Sequence, residues 1–585
     1  MTEESRQDRP ATVKAGKGGI ARTAAETRAA AETRAAAESG AGTRTSGGRA
    51  TPPGMRARPD RYLIAAADIR TITAQLEQDE SCSIVRTVRG PITAGGFPGV
   101  VVAEMTPEHA IALRSYPGIC VEPDLPVARG QRDLPLAAAP PGPPVTTQHV
   151  AFEVVDDGMR PVEGAAVTLA GTAFPVTAFT DAEGRAELVD TAEALAGATM
   201  AEIRPPRGCW PLRVRWPQLN RPVRVTCTRV TSTHPDFPER ALDSWGTRVM
   251  GFGRLPPTYR AHGVQIALID SGAATGHPDL TGQLQHGRDI LRQDEKSWQE
   301  DLIGTGTHHA TLIAGRDDGT GIVGLASEAQ THICRVAPGG SVADLIEALD
   351  YCIEQQVDVA MLAGAVGGYS PLLAAKVEEA WQNGIACVAA AGGFPAALPH
   401  VLTVGAIGQL GTFPPESTDT TSLTGQVSPE GFFVPRFSPP GSDCCAPGVA
   451  IISGLPPTSY GPLSGTSTAA AHVTALAALI LAHHPLFRPE PGRPRVTRDA
   501  SRPARLFDLI RASCRPLQEM TGRGPLDPAR TGAGLPDAAV ALGVAPWGTY
   551  PQLSAPYPAP PPGPGGRTSL EPLTAAMRAA GLLPS

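Results

Sequence analysis

The chain has 585 residues, a formal net charge of −7 and a hydrophobic fraction of 42%. That length exceeds what one hydrophobic core supports, so several domains are expected, and the 64 Gly and 60 Pro point to many turns and to segments without a packed core. The acidic balance gives no electrostatic case for nucleic acid, and no apolar run approaches the ~20 residues of a membrane helix.

Residues 1–58 are low in complexity. An Ala-Ala-Glu-Thr-Arg-like unit recurs around Glu26, Glu32 and Glu38 without an apolar stripe, the composition of a disordered tail. The first residues, Met1-Thr2-Glu3-Glu4, lack the apolar stretch of a signal peptide, so a cytoplasmic location is expected. Over 59–128 the texture becomes that of a small α+β domain. Tyr62–Ile64 and Gly99–Ala103 read as strands, Thr71–Glu80 as a helix, and Thr106–Arg114 as a helix capped by Thr106. Pro117–Asp124 reads as a turn and final strand.

Residues 129–147 form a Pro/Ala linker. Short alternating segments between turns then fill 148–230, which predicts an antiparallel β-sandwich. From 238 to 545 largely apolar strand-length runs such as Val264–Ile269 and Ala386–Ala391 alternate with helical stretches at Ser341–Gln355 and Leu372–Asn383. That alternation predicts an α/β domain with a doubly wound parallel sheet, whose ligands bind beyond the carboxyl ends of the strands. Residues 546–585 are a Pro-rich tail with a short terminal helix at Leu573–Leu583. The ten cysteines show no CxxC spacing, and scattered reduced thiols are expected.

Four stretches of the α/β region carry chemistry. Asp270-Ser271-Gly272 ends an apolar strand, and Gly304-Thr-Gly-Thr-His-His-Ala-Thr-Leu-Ile-Ala-Gly315 opens a helix. Cys444-Cys445-Ala446-Pro447-Gly448 precedes Gly465-Thr466-Ser467, a tight turn leading into the apolar run Val473–Ala482. A serine there stands at a helix N-terminus, where free N–H groups favour developing negative charge. Its alternative is merely to cap the helix.

Taken together, "ALIDSGAATGHPDL", "GTGTHHATLIAG", "CCAPGVAIIS" and "LSGTSTAAAHVTALAALILAHHP" resemble, in family order, the Asp, His and Ser blocks of the subtilisin-like serine proteases (subtilases) and the stretch before the last. "TGAGLPDAAVAL" resembles the family's closing block. The order of elements in 59–128, with its ending "LRSYPGICVEPDLPV", resembles the inhibitor-type propeptide of these proteases. Asp157-Gly158-x-x-Pro161-Val162-x-Gly164-Ala165-x-Val167, followed by Thr180-Asp181-Ala182-x-Gly184, resembles the carboxypeptidase-regulatory-like β-sandwich, usually structural or adhesive.

By this resemblance Asp270 is the acid and Ser467 the nucleophile, but the base histidine falls on Thr305 and the oxyanion asparagine on Gly393. The substrate-binding strand reads Met361-Leu362-Ala363-Gly364-Ala365, and the proline after the serine's Ala-Ala is Ala471. Threonine has no usable pKa near neutrality. The departures favour a pseudoprotease that binds a peptide or protein partner, keeps residues 59–128 attached and holds them in its groove. The alternative is an active endopeptidase using a displaced His308 or His309, three and four positions beyond Thr305 and about one turn, ~5 Å, along the axis. Otherwise His308 is expected to be a packed, hydrogen-bonded histidine, His309 a surface or groove residue and His472 structural. No cofactor is evident; bound calcium is implied by the resemblance only, with no readable ligand set.

Overall fold

The computed structural model describes residues 60–546 and 548, apart from 89, 93–95, 130–146, 171–174, 192–194, 196, 216, 218, 489–496, 521–523 and 547. The expected N-terminal tail, nearly all of the Pro/Ala linker and the C-terminal helix lie outside the described residues.

The chain begins with a four-stranded antiparallel sheet of β1 (Asp60–Ala66), β2 (Ser83–Val88), β3 (Val100–Met105) and β4 (Ile119–Pro123), ordered β2-β3-β1-β4. Helix α1 (Ile69–Glu77) begins earlier than expected because Asp68 accepts from Thr71 N. In α2 (Pro107–Arg114), Thr106 caps as expected, accepting from His109 N. Strand β2 goes unread in the sequence: its mixed polar pattern fits an edge, where only one neighbour is paired. Successive side chains of β1 and β3 point to opposite faces. Tyr62, Ile64, Val101 and Ala103 pack on the domain's own helices, while Leu63, Ala65, Val100 and Val102 join the core beneath the α/β domain. Burial on both faces explains why Val100–Ala103 is uniformly apolar.

A short strand β5 (Val127–Arg129) follows. The next module packs β6 (Thr147–Asp156), β9 (Arg185–Thr191) and β12 (Val223–Cys227) against β7 (Ala166–Ala170), β8 (Val176–Phe179), β10 (Met200–Arg204) and β11 (Leu212–Arg215) around Phe152, Val154, Leu169 and Ile203. One pair corrects the antiparallel expectation: β12 runs parallel to β6, because the chain leaves the module alongside the strand by which it enters.

In the α/β domain β13 (Gln265–Asp270), β14 (His286–Asp289), β15 (Gln330–Arg335), β16 (Val359–Leu362), β18 (Ala386–Ala390) and β19 (Val401–Gln409) form a parallel sheet ordered β14-β15-β13-β16-β18-β19. Between β16 and β18 lies the short β17 (Gly364–Val366). The chain winds from β13 to one edge and then to the other, so Asp270 ends a strand at the switch point, where such sheets bind ligands. Helices α3 (Thr305–Ala314), α4 (Val342–Glu354), α5 (Pro371–Gln382) and α6 (Thr466–His483) cover the sheet. By length and composition α6 is apolar enough to cross a membrane, but 94% of it is buried inside the fold, so it is the domain's central core helix. All ten cysteines are free thiols.

Candidate active site

Asp270 lies at the carboxyl end of β13, and both its oxygens are engaged. Oδ1 accepts from Ser271 N (2.7 Å) and from the Thr305 hydroxyl (2.9 Å). Oδ2 accepts from His309 Nδ1 at 2.7 Å. With Nδ1 donating to the carboxylate, the other ring nitrogen, Nε2, faces Thr468 Oγ1 at 3.4 Å.

Of the two places expected for position 309, surface or groove, the surface is ruled out: only 1% of His309 is exposed, and the residue lines the cavity beside Asp270 and Ser467. The reason is helical geometry. Side chains on a helix lean toward its N-terminus, so a residue covers the turn before its own Cα. One turn beyond Thr305, the long imidazole leans back far enough for Nδ1 to reach Asp270, while Nε2 faces Thr468 rather than Ser467.

The start of α3 is held by an acid absent from the sequence expectations. Asp301 accepts from Gly304 N (2.8 Å), Thr307 N (2.8 Å), the Thr307 hydroxyl and the Ser271 hydroxyl. A carboxylate there satisfies free N–H groups and suits the positive end of the helix dipole. The available signal was the Asp-x-x-Gly-Thr spacing before the helix.

Ser467 stands at the start of α6, after Gly465, and no side chain caps this helix, so Ser467 is not there as a cap. Among the described residues none hydrogen-bonds its hydroxyl. The neighbouring Thr466 hydroxyl donates to Ala391 O (2.8 Å). Gly393, on which the resemblance places the oxyanion asparagine, has φ 141°, and a Cβ added there would meet Ala365 Cβ at 2.9 Å.

The other histidines pack internally. His308 Nε2 donates to Ile451 O (2.7 Å) while its Nδ1 is buried without a partner, and burial pushes its pKa down to about 3. His472 Nδ1 donates to Thr468 O (2.9 Å), its Nε2 is likewise unpartnered, and burial pushes it down to about 4. Both therefore stay neutral, and neither ring hydrogen-bonds Ser467. Ala471 lies buried in α6.

The site is covered. Strand β5 pairs antiparallel with β17, matching Arg129 to Gly364, Ala128 to Ala365 and Val127 to Val366. What remains beside Asp270, Thr305, His309 and Ser467 is a cavity of about 30 Å³, walled partly by Val127 and Ala128. That is room for water, not for a peptide. Among the described residues no cluster of three or more His, Cys, Asp or Glu is placed to hold a metal ion, and calcium ligands are not assigned.

A parallel α/β sheet with an acid at its switch point and a serine heading the core helix is the architecture of a subtilisin-like serine protease. Residues 261–515 match the Subtilase family (Peptidase_S8). The chain is 33% identical over 239 residues to the major intracellular serine protease of Bacillus subtilis (strain 168), covering 37% of this chain and 68% of that protein. It is also 33% identical to subtilisin E of the same organism, over 39% of this chain and 58% of that protein. Fervidolysin from Fervidobacterium pennivorans, a keratinolytic enzyme related to subtilisin, superposes with a TM-score of 0.52 at 19% identity, covering 86% of this chain and 63% of that one. The chain belongs to the subtilase family.

Proposed function

We propose that this subtilase is a pseudoprotease: it keeps the peptide groove, holds its own β5 there, and hydrolyses peptide bonds little or not at all. One observation carries the reading. The imidazole on Asp270 directs its free nitrogen to Thr468 and leaves the Ser467 hydroxyl without a base. A serine hydroxyl is a poor nucleophile unless a base takes its proton, and Thr305 cannot supply one. In subtilisin itself, loss of the base costs about 10⁶ in turnover, and loss of the oxyanion side-chain donor, here replaced by Gly393, about 10²–10³. The two losses need not add, because the residues act as a unit.

In this reading residues 59–128 are an inhibitor-type propeptide that is never severed, 148–230 is a structural or adhesive module, and the groove serves a peptide or protein partner inside the cell. A second reading is favoured by the 2.7 Å contact between Asp270 and His309. The acid–imidazole half of a triad is assembled, one residue from the nucleophile, and catalytic hydrogen bonds are often loose before substrate binds. His309 would then be the base of a weak endopeptidase.

The experiment is fluorophosphonate labelling with casein cleavage on the wild type, Ser467→Ala and His309→Gln. No labelling and a full-length chain support the pseudoprotease. Labelling lost in both variants, or a spontaneous cut abolished by Ser467→Ala, overturns it in favour of the enzyme.

A further inference from the structure

The domain that carries β5 rests on α4 and α5, and the contact is built largely from carboxylates. Glu122 accepts from Ser370 Oγ and Leu372 N at the start of α5. Asp124 Oδ1 accepts from Ala343 N at the start of α4 (3.0 Å), while its Oδ2 is buried without a partner. Further along, Asp350 of α4 lies directly beneath Gly90, so close that a Cβ at position 90 would run into its carboxyl group. Lys376 of α5, wholly buried, donates to Asp350 Oδ1, to Glu379 Oε2 and, across the interface, to Pro91 O. One cation thus faces two carboxylates, and Asp350 Oδ2 is left buried with no donor.

We propose that docking of residues 60–129 onto α4 and α5 is proton-coupled at Asp350, tightening as the pH falls from 8 to 5 and loosening in alkali. The inference extends the reading of the groove as self-occupied, since β5 travels with this domain.

The charges facing Asp350 fix the direction. Lys376 favours its ionised form, while Glu379 from α5 and Glu354 from α4 oppose it. Arg86 of β2 is engaged by Asp344 and Glu347 of α4. Burial outweighs Lys376 and pushes the Asp350 carboxyl up to about 6. When the domain lifts away, Gly90 and Pro91 leave, water reaches Asp350 on the helix surface, and the carboxyl regains its ordinary acidity. The docked state therefore binds the proton more tightly, and acid favours docking. Burial also pushes Glu122 and Asp124 upward, in the same sense. For Asp350 alone, a docked value of about 6 against an ordinary carboxyl gives a roughly tenfold gain in the docking constant between pH 8 and 5.

The test is amide hydrogen exchange on the full chain between pH 5 and 8, corrected for intrinsic exchange. Ala343 N, which donates to Asp124 Oδ1, and Val342 N, which donates to Leu125 O, report docking. The β5–β17 amides report the groove. The expected result is about tenfold more protection of the docking amides at pH 5 than at pH 8, with most of that rise lost in Asp350→Asn. Protection that is flat or falls in acid overturns the proposal, as does an undiminished rise in Asp350→Asn. If the variant does not fold, the wild-type series decides alone. A rise at the docking amides without one at β5–β17 supports proton-coupled docking and shows that β5 does not travel with the domain, which removes the link to the groove instead.

Discussion

His309 donates to Asp270 across 2.7 Å from a helical position one turn beyond the residue that aligns with the family's base. The carboxylate is shared: Thr305 holds one oxygen and His309 the other. Asp270 is therefore not an uncompensated buried charge. That sharing makes His309 structural whatever its chemistry. In His309→Ala, Oδ2 loses its donor in a site where Asp270 is only 6% exposed. A hydrogen bond to a charged group contributes about 1.5–3 kcal/mol, and denaturant unfolding should show a loss of at least that size. A loss below 0.5 kcal/mol would show that water reaches the carboxylate freely.

The acid limb of stability should carry the signature of the two buried histidines. Both His308 and His472 have pKa values depressed by burial, with His309 adding a smaller push. In the unfolded chain each takes a proton near pH 6.5, while in the fold neither does until about 3 and about 4. The unfolded state binds more protons in that window, so stability rises with pH there and is lost as pH falls below 6.5. Each group contributes about 1.4 kcal/mol per pH unit. Buried carboxyls pushed upward, such as Asp419 and Asp537, act in the opposite sense, so the difference between the wild type and His472→Gln is the measurement. The wild type should lose about 1.2 kcal/mol more per unit between pH 6 and 4.5. Parallel curves would mean that His472 protonates within the fold.

Glu122 should be worth more to docking than a surface acid. It lies 6% exposed and accepts from the Ser370 hydroxyl and Leu372 N at the start of α5. Glu122→Ala leaves both donors without that acceptor, which costs about 1–3 kcal/mol when they stay buried. Limited proteolysis should cut faster in residues 60–129 of the variant, by at least about fivefold at the low end of that range. An unchanged rate would mean that water replaces the carboxylate.

Why some of this was legible and some was not follows from where the information sits. Asp270 and Ser467 belong to contiguous motifs, each tied to one strand end or one helix start, so sequence order places them. The alternation of apolar runs and helices gave the parallel sheet for the same reason. His309 was open to two assignments, because its reach depends on the lean of a side chain into space vacated by another residue. The contact of β5 with β17 joins two three-residue strands far apart in the chain, and neither carries a pattern that names its partner. Strand β2 was missed because an edge strand need not be apolar on both faces.

Restoring the family's residues one for one should not restore catalysis. Thr305→His places a second imidazole at Asp270, whose Oδ2 is already held by His309. The two rings compete for one carboxylate in a buried space that fits one of them. Gly393→Asn meets a separate obstacle, since its φ of 141° strains any residue with a Cβ, and that Cβ would lie 2.9 Å from Ala365 Cβ. The pair Thr305→His, Gly393→Asn is therefore expected to stay inactive toward casein. Thr305→His combined with His309→Val frees the carboxylate for a base in the family's own position. That double variant should label with fluorophosphonate, provided β5 is displaced from β17, and should do so at least ~10²-fold faster than Thr305→His alone, the lower range for a positioned general base. Equal labelling of the two would show that His309 does not compete for Asp270.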